Sequence, residues 1–292
     1  MLGRSPRQDS ERASHLRACS GVRETCVWRR CVEDVRLRSV TLQVPRRAHR
    51  KIEVKAERKT LDRALSRAGV MSRSQAEQAI RDGRVRVNGL REREPSTWVD
   101  LSRDDVKLDE QPLARWQPLY LALHKPTGLV TSRSDERGRG TVYELLQDVG
   151  VWIAPVGRLD KETSGLLLFT NDTDLAERIT NPNSKLPKTY EVCARGELDD
   201  ARLAQLARGV QLDDGMTREA LVRLLERSDG RTQLELVITE GRNRQVRRML
   251  EAVGSEVLTL HRSAIGPVKL GELAVGAHRK LRPHEVRALR GE

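Results

Sequence analysis

The sequence predicts an α+β fold, with a mixed, largely antiparallel sheet and a small α/β module ahead of it. Three observations carry that expectation. Beyond residue 119, apolar segments of period two and of helical period follow each other in no regular alternation. Such a pattern favours α+β over a doubly wound sheet. Two helical stripes and a hairpin signal are packed into residues 59–108. Residues 109–118, DEQPLARWQP, hold two prolines and no period, and are expected to be a linker between the two parts.

The first 58 residues read as a disordered basic leader. Residues 1–50 contain twelve Arg and no Lys against five acids, or +7 of the net +12, and lack sustained periodicity. The acids argue against an organelle transit peptide, and no apolar core follows the basic start as a secretory signal requires. Cys19, Cys26 and Cys31 lie in this leader and Cys193 far from it. Their spacing fits neither a disulfide framework nor, with His15, a zinc set, so free thiols and no metal are expected.

In the module, Leu61, Ala64, Leu65 and Ala68 recur at helical spacing, and Gly69 is a natural stop. Ser72 with Gln75 three residues on forms a capping-box pattern for a second helix striped by Ala76, Ala79 and Ile80. Arg84 to Val87 alternates like a strand and runs into Asn88-Gly89, a strong hairpin turn. Residues 119–292 form the larger domain. Strands are expected at Leu119–Leu123, Leu166–Phe169, around Tyr190–Ala194 and at Gln233–Glu240. Short helices are expected at Thr141–Gln147, in TDLAERIT after Asp172, and at Ala201–Leu206.

The net charge of +12 favours a polyanionic partner. No apolar stretch approaches the roughly 20 residues of a membrane span, so no membrane partner and a cytoplasmic location are expected. Gly138-Arg139-Gly140 is the lone G-x-G and follows no clear strand, and a P-loop is absent. Nucleotide-dependent methyltransferase, kinase and helicase readings therefore lack their fingerprints.

The run LDRALSRAGVMSRSQAEQAIRDGRVRVNG resembles the alpha-L RNA-binding motif shared by a small-subunit ribosomal protein, some aminoacyl-tRNA synthetases and ribosomal pseudouridine synthases. Further on, GRLDKETSGLLLFTND, KTYEV and EGRNRQVRRML occur in that order. With HKPTGLVTS at His124 and IGPVKLGEL at Ile265, they resemble the pseudouridine synthases that modify ribosomal RNA, in the branch carrying an alpha-L module. GRNRQVRRMLEAVG is similar to the large-subunit enzymes of that branch.

The resemblance implies a pseudouridine synthase fold and three catalytic positions. Asp160 matches the family's nucleophilic carboxylate, Tyr190 the aromatic that stacks on the target base and is implicated in proton removal, and Arg247 the basic residue that pairs with the carboxylate. Arg248, one place on, is the alternative register for that base. The chemistry suits these types: a carboxylate adds to the sugar and later leaves, and a guanidinium favours its charged form. No cofactor is needed. The implied partner is ribosomal RNA or a ribosomal subunit precursor, met by a monomer.

Candidate RNA contacts are Arg63, Arg67, Ser72, Arg73, Arg84 and Arg86 in the module, with Arg158, Lys188, Arg242, Arg244 and Arg248 around the catalytic motifs. Guanidiniums grip phosphates through paired donors. Lys125 and Lys188 are read as possible cleft-lining residues, and Asp172, Asp174, Asp213 and Asp214 as caps and turns. Thr173, where the family usually has Gly, and His261, where a basic residue is more usual, depart from the pattern. The competing reading is a non-catalytic RNA-binding factor of ribosome assembly.

Overall fold

The computed structural model describes residues 58–292 apart from 114, 115, 134 and 136. All of these fall within one compact unit. The leader expected over residues 1–58, with its three cysteines, lies outside the described residues save for Arg58.

The module forms as its sequence dictates. Helices α1 (Leu61–Arg67) and α2 (Arg73–Arg81) bury Leu61, Leu65, Ala76 and Ile80 against Val85 and Val106. The Ser72 hydroxyl accepts from the Gln75 amide, and the Gln75 side chain accepts from the Ser72 amide, closing the capping box. Strands 85–87 and 90–92 meet at Asn88-Gly89, both at positive φ.

The expected linker needs correction. Gln111–Pro112 pairs with Val106–Leu108 as the edge of a four-stranded sheet, and Asp109 and Glu110 make the turn at φ 49° and 64°. The module thus runs through Leu113, whose amide donates to the Val106 carbonyl at 3.0 Å. Proline, lacking an N–H, is tolerated on such an edge.

The module packs on the larger domain. Trp152 donates its amide to the Gly69 carbonyl at 2.6 Å. Lys59 and Arg67 both reach Asp174, and the Arg67 guanidinium lies 3.9 Å above the Trp116 ring.

The larger domain is built on a nine-stranded mixed sheet. Its main strands are β1 (Tyr120–Lys125), β2 (Ser164–Thr170), β3 (Lys188–Arg195), β4 (Leu221–Ser228), β5 (Arg231–Ile238), β6 (Val257–Ile265) and β7 (His278–Lys280). They lie in the order β4-β5-β3-β6-β2-β1-β7, antiparallel throughout except where β6 runs parallel to β2.

Burial follows the sequence patterns on either side of that parallel seam. In β5, Leu234, Leu236 and Ile238 fall at every second position and bury one face under α4 (Asp200–Arg208) and α5 (Gln245–Ala252). In β2 the continuous run GLLLFT is buried on both faces. One face is covered by α3 (Thr173–Thr180) and α6 (Pro283–Arg290), the other by Val142, Leu146 and Ile153. The helix expected at Thr141–Gln147 is a single 3₁₀ turn, Val142–Leu145. Asp172 caps α3 as expected, its carboxylate accepting from the Leu175 amide at 3.3 Å. Among the described residues, no helix is long and apolar enough to cross a membrane.

Candidate active site

A cavity of about 420 Å³ opens at the seam, lined by Asp160, Tyr190, Arg158, Lys188, Arg242, Arg244 and Arg262. That size is within the range of about 300–1,000 Å³ usual for small-ligand sites.

The site depends on how strands meet. At the parallel seam, His261 stands opposite Ser164 and Arg262 opposite Gly165. Combined with the neighbouring registers, Leu236, Tyr190, Arg262, Gly165 and Lys125 form one row across five strands. Residues directly opposite one another share a face of the sheet, so Tyr190 and Arg262 stand side by side. Beside that row the Ser164 hydroxyl contacts the His261 Nδ1 at 2.9 Å, and burial pushes the His261 imidazole down from its ordinary value.

Asp160 sits on the loop that feeds β2, and that loop is held from below. The Lys125 side chain is fully buried at the end of β1. Its ammonium donates to the carbonyls of Pro126 (3.0 Å), Asp160 (3.0 Å), Lys161 (3.3 Å) and Thr163 (2.8 Å). Burial pushes this ammonium down to about 8, with Asp160 and Glu162 pulling upward. The Thr131 hydroxyl adds a bond to the Leu159 carbonyl at 2.8 Å. Lys125 therefore does not line the cleft; it lies beneath it.

Arg247, expected to pair with Asp160, is placed differently. Its guanidinium donates to the carbonyls of Glu162 (3.0 Å) and Val257 (3.4 Å), and its Nε is buried with no acceptor among the described residues. The charge of Asp160 reaches it, but burial and Arg244 push the guanidinium down from its ordinary value more strongly. It lies on α5, behind the Asp160 loop, and contacts the loop's backbone.

Of the remaining candidates near the cavity, Arg242 and Arg248 are spent internally. Arg242 donates to the Gly215 carbonyl at 2.8 Å and the Met216 carbonyl at 2.6 Å, and pairs with Asp214 and Glu240. Arg248 grips Asp214 through two bonds of 3.0 and 3.1 Å. These arginines hold the Asp214 carboxyl below the usual carboxylate range. Asp214 lies in the turn between Leu212 and Gly215, as expected, and from there also anchors two arginines. Arg158 and Arg244 are exposed at the cavity rim, Arg244 at a φ of 45°. Lys188 is half-buried, its ammonium pushed down by burial and by Arg262 and Arg218.

In the module, Arg63 projects from α1 and is exposed. Arg73 meets Asp62, Arg84 meets Asp109 at 2.9 Å, and Arg86 meets Glu110 at 2.7 Å. The Arg84 and Arg86 pairs are well exposed, of a kind that contributes only about 0–1 kcal/mol, so a phosphate can compete for these guanidiniums. Arg67 and Ser72 cannot be recruited this way. Arg67 keeps only 11 % of its side chain exposed between Trp116 and Asp174, and the Ser72 hydroxyl is committed to its capping box.

Two models of known families match this chain: "RNA pseudouridylate synthase" over residues 119–252 and "S4 domain" over residues 59–106. A ribosomal large subunit pseudouridine synthase B of Bacillus subtilis is 39 % identical over 232 residues, spanning 79 % of this chain and 95 % of the relative. The chain belongs to the RNA pseudouridine synthase family. An uncharacterized RNA pseudouridine synthase of Aquifex aeolicus is 40 % identical over 231 residues, 78 % of this chain and 92 % of its own. A crystal structure of a pseudouridylate synthase superposes with a TM-score of 0.56 at 33 % identity, covering 79 % of this chain and 99 % of the other.

This pseudouridine synthase has two site residues that sequence reasoning passed over or misplaced. Arg262 is 6 % exposed and lines the cavity. A β-bulge between Thr189 and Tyr190 shifts the β3–β6 register, and β6 shows no clean alternation, so His261 drew attention in its place. Lys125 did carry a signal: it falls at a buried position of YLALHK, after Leu121 and Leu123.

Proposed function

We propose that this enzyme converts a specific uridine of large-subunit ribosomal RNA to pseudouridine, working as a cytoplasmic monomer with Asp160 as nucleophile. The observation that carries the reading is that Asp160 and Tyr190 face one nucleoside-sized cavity with a cationic rim. The name of the Bacillus subtilis relative supplies the substrate class.

The chemistry runs in two bond exchanges. The Asp160 carboxylate bonds to C1′ as the C1′–N1 bond breaks, its electron pair leaving with the base. The base turns, C5 bonds to C1′ as the carboxylate departs, and C5 then loses its proton. Tyr190 offers a flat face for the base and a phenolic oxygen near that proton. The target nucleotide must first leave its stack at a cost of a few kcal/mol, which phosphate contacts by Arg63, Arg73, Arg84, Arg86, Arg158 and Arg244 offset. Lys188, half-buried in the wall, contributes charge inside the cavity.

An Asp160→Asn variant tests this directly. Pseudouridine formation in ribosomal RNA should vanish while RNA affinity changes little. Modification that survives the substitution would remove the carboxylate from the mechanism.

A further inference from the structure

Arg262 reaches the cavity from a strand, with its guanidinium only partly satisfied. Nε donates to the Leu166 carbonyl at 2.8 Å. Nη2 is buried and meets no acceptor among the described residues. A buried donor left unpaired on a charged group is costly, and such a group calls for a functional explanation. Its surroundings supply one. Arg262 stands directly across from Tyr190 on one side and from side-chain-free Gly165 on the other, and its charge reaches Lys188 and Lys125.

We propose that Arg262 is a catalytic residue whose guanidinium donates to a carbonyl oxygen of the extruded uracil and stabilises the negative charge the base acquires as it leaves the sugar. The assignment rests on the proposed function. When the C1′–N1 bond breaks, its electron pair passes to the base and spreads over N1, O2 and O4. The Asp160 carboxylate supplies the pair that replaces it at C1′. Asp160 cannot also offset the charge on the base, because it is itself anionic before the attack. A fixed cation that lines the cavity beside the stacking aromatic can do so, and preorganised donors of this kind act where charge develops. A backbone phosphate is the lesser fit: it stays at the rim with Arg158 and Arg244, whereas Arg262 is buried.

Leaving-group acidity tests the assignment. Fluorine at C5 withdraws electrons and makes the departing base a better leaving group, so an enzyme lacking the stabilising cation should suffer less on 5-fluorouridine RNA. Single-turnover loss of the N-linked nucleoside is measured by mass spectrometry of nuclease digests, since C5–F blocks the closing proton loss. Arg262→Gln should slow conversion of uridine RNA by about 10²–10³-fold, with RNA affinity by filter binding nearly unchanged. The loss on 5-fluorouridine RNA should be roughly tenfold smaller, as expected when one electrostatic donor is removed. If Arg262→Gln fails to fold, Arg262→Lys is read by the same ratio and should show a weaker shift in the same direction. Equal losses on the two RNAs, or a loss confined to binding, overturn the assignment while leaving the proposed function intact. A wild-type protein that converts neither RNA overturns both.

Discussion

Gly165 and Arg262 pass so closely across the parallel seam that a Cβ on Gly165 would lie 2.3 Å from the Arg262 carbonyl oxygen and 2.5 Å from its amide nitrogen. Gly165 also holds a φ of 108°, where other L-residues are strained. Backbone on both sides leaves nothing flexible to yield.

Gly165→Ala should therefore push β2 and β6 apart. A cost on the order of 2–4 kcal/mol is expected from a clash of this kind, read as a fall in the urea midpoint. Activity should fall further than stability explains, because the same displacement moves Arg262. A variant with unchanged midpoint and rate would show that the seam is not tight in solution.

Lys125 links stability and activity to pH with opposite signs. Its ordinary value of 10.5 falls to about 8 in the fold, chiefly through burial. Below pH 8 both the native and unfolded chains hold the proton, and the cost of burying charge is present in full. Between about pH 8 and 10.5 the unfolded chain binds a proton that the native one does not, so stability from this group rises with pH across that window. Over the same window the ammonium loses one of three donors to the Asp160 loop, and turnover should decline. Urea titrations of wild type and Lys125→Met across pH 7–10.5 would test this; parallel curves would exclude the titration.

Asp214 should matter although it lies off the reaction path. Asp214→Asn leaves Arg242 and Arg248 without their shared carboxylate, loosening residues 241–244 at the cavity rim. The Michaelis constant for RNA should rise several-fold with a smaller change in turnover, and the low pKa of the carboxyl makes that difference constant from pH 6 to 8. A fall in turnover alone would place Asp214 in a different role.

The module and most strands of the larger domain were legible because their signals are local: a capping box, Asn88-Gly89, and the period-two burial of β5. The turn at Asp109-Glu110 was not, since Glu110 is not a usual left-handed residue and Pro112 argued for a loop. In the site, motif likeness located Asp160 and Tyr190, which share a cavity. Which arginines are uncommitted was hidden, because Arg67, Arg242 and Arg248 are engaged by acids and carbonyls far away in sequence. Arg262 reaches the cavity only because a bulge and a parallel crossing place it there.

The order of strands in the sheet sets a timetable for synthesis. A nascent chain carries the Lys125 anchor and the Asp160 loop well before the rest of the site, yet β2 has only the two-residue strand Ala154–Pro155 on one flank until β6 is made, and β1 has no neighbour on its outer edge until residues 278–280 emerge. Contacts of such sequence separation form slowly. A chain translated only through β2 thus has a nucleophile without a binding site, and cannot act on RNA until almost the whole catalytic domain has left the tunnel.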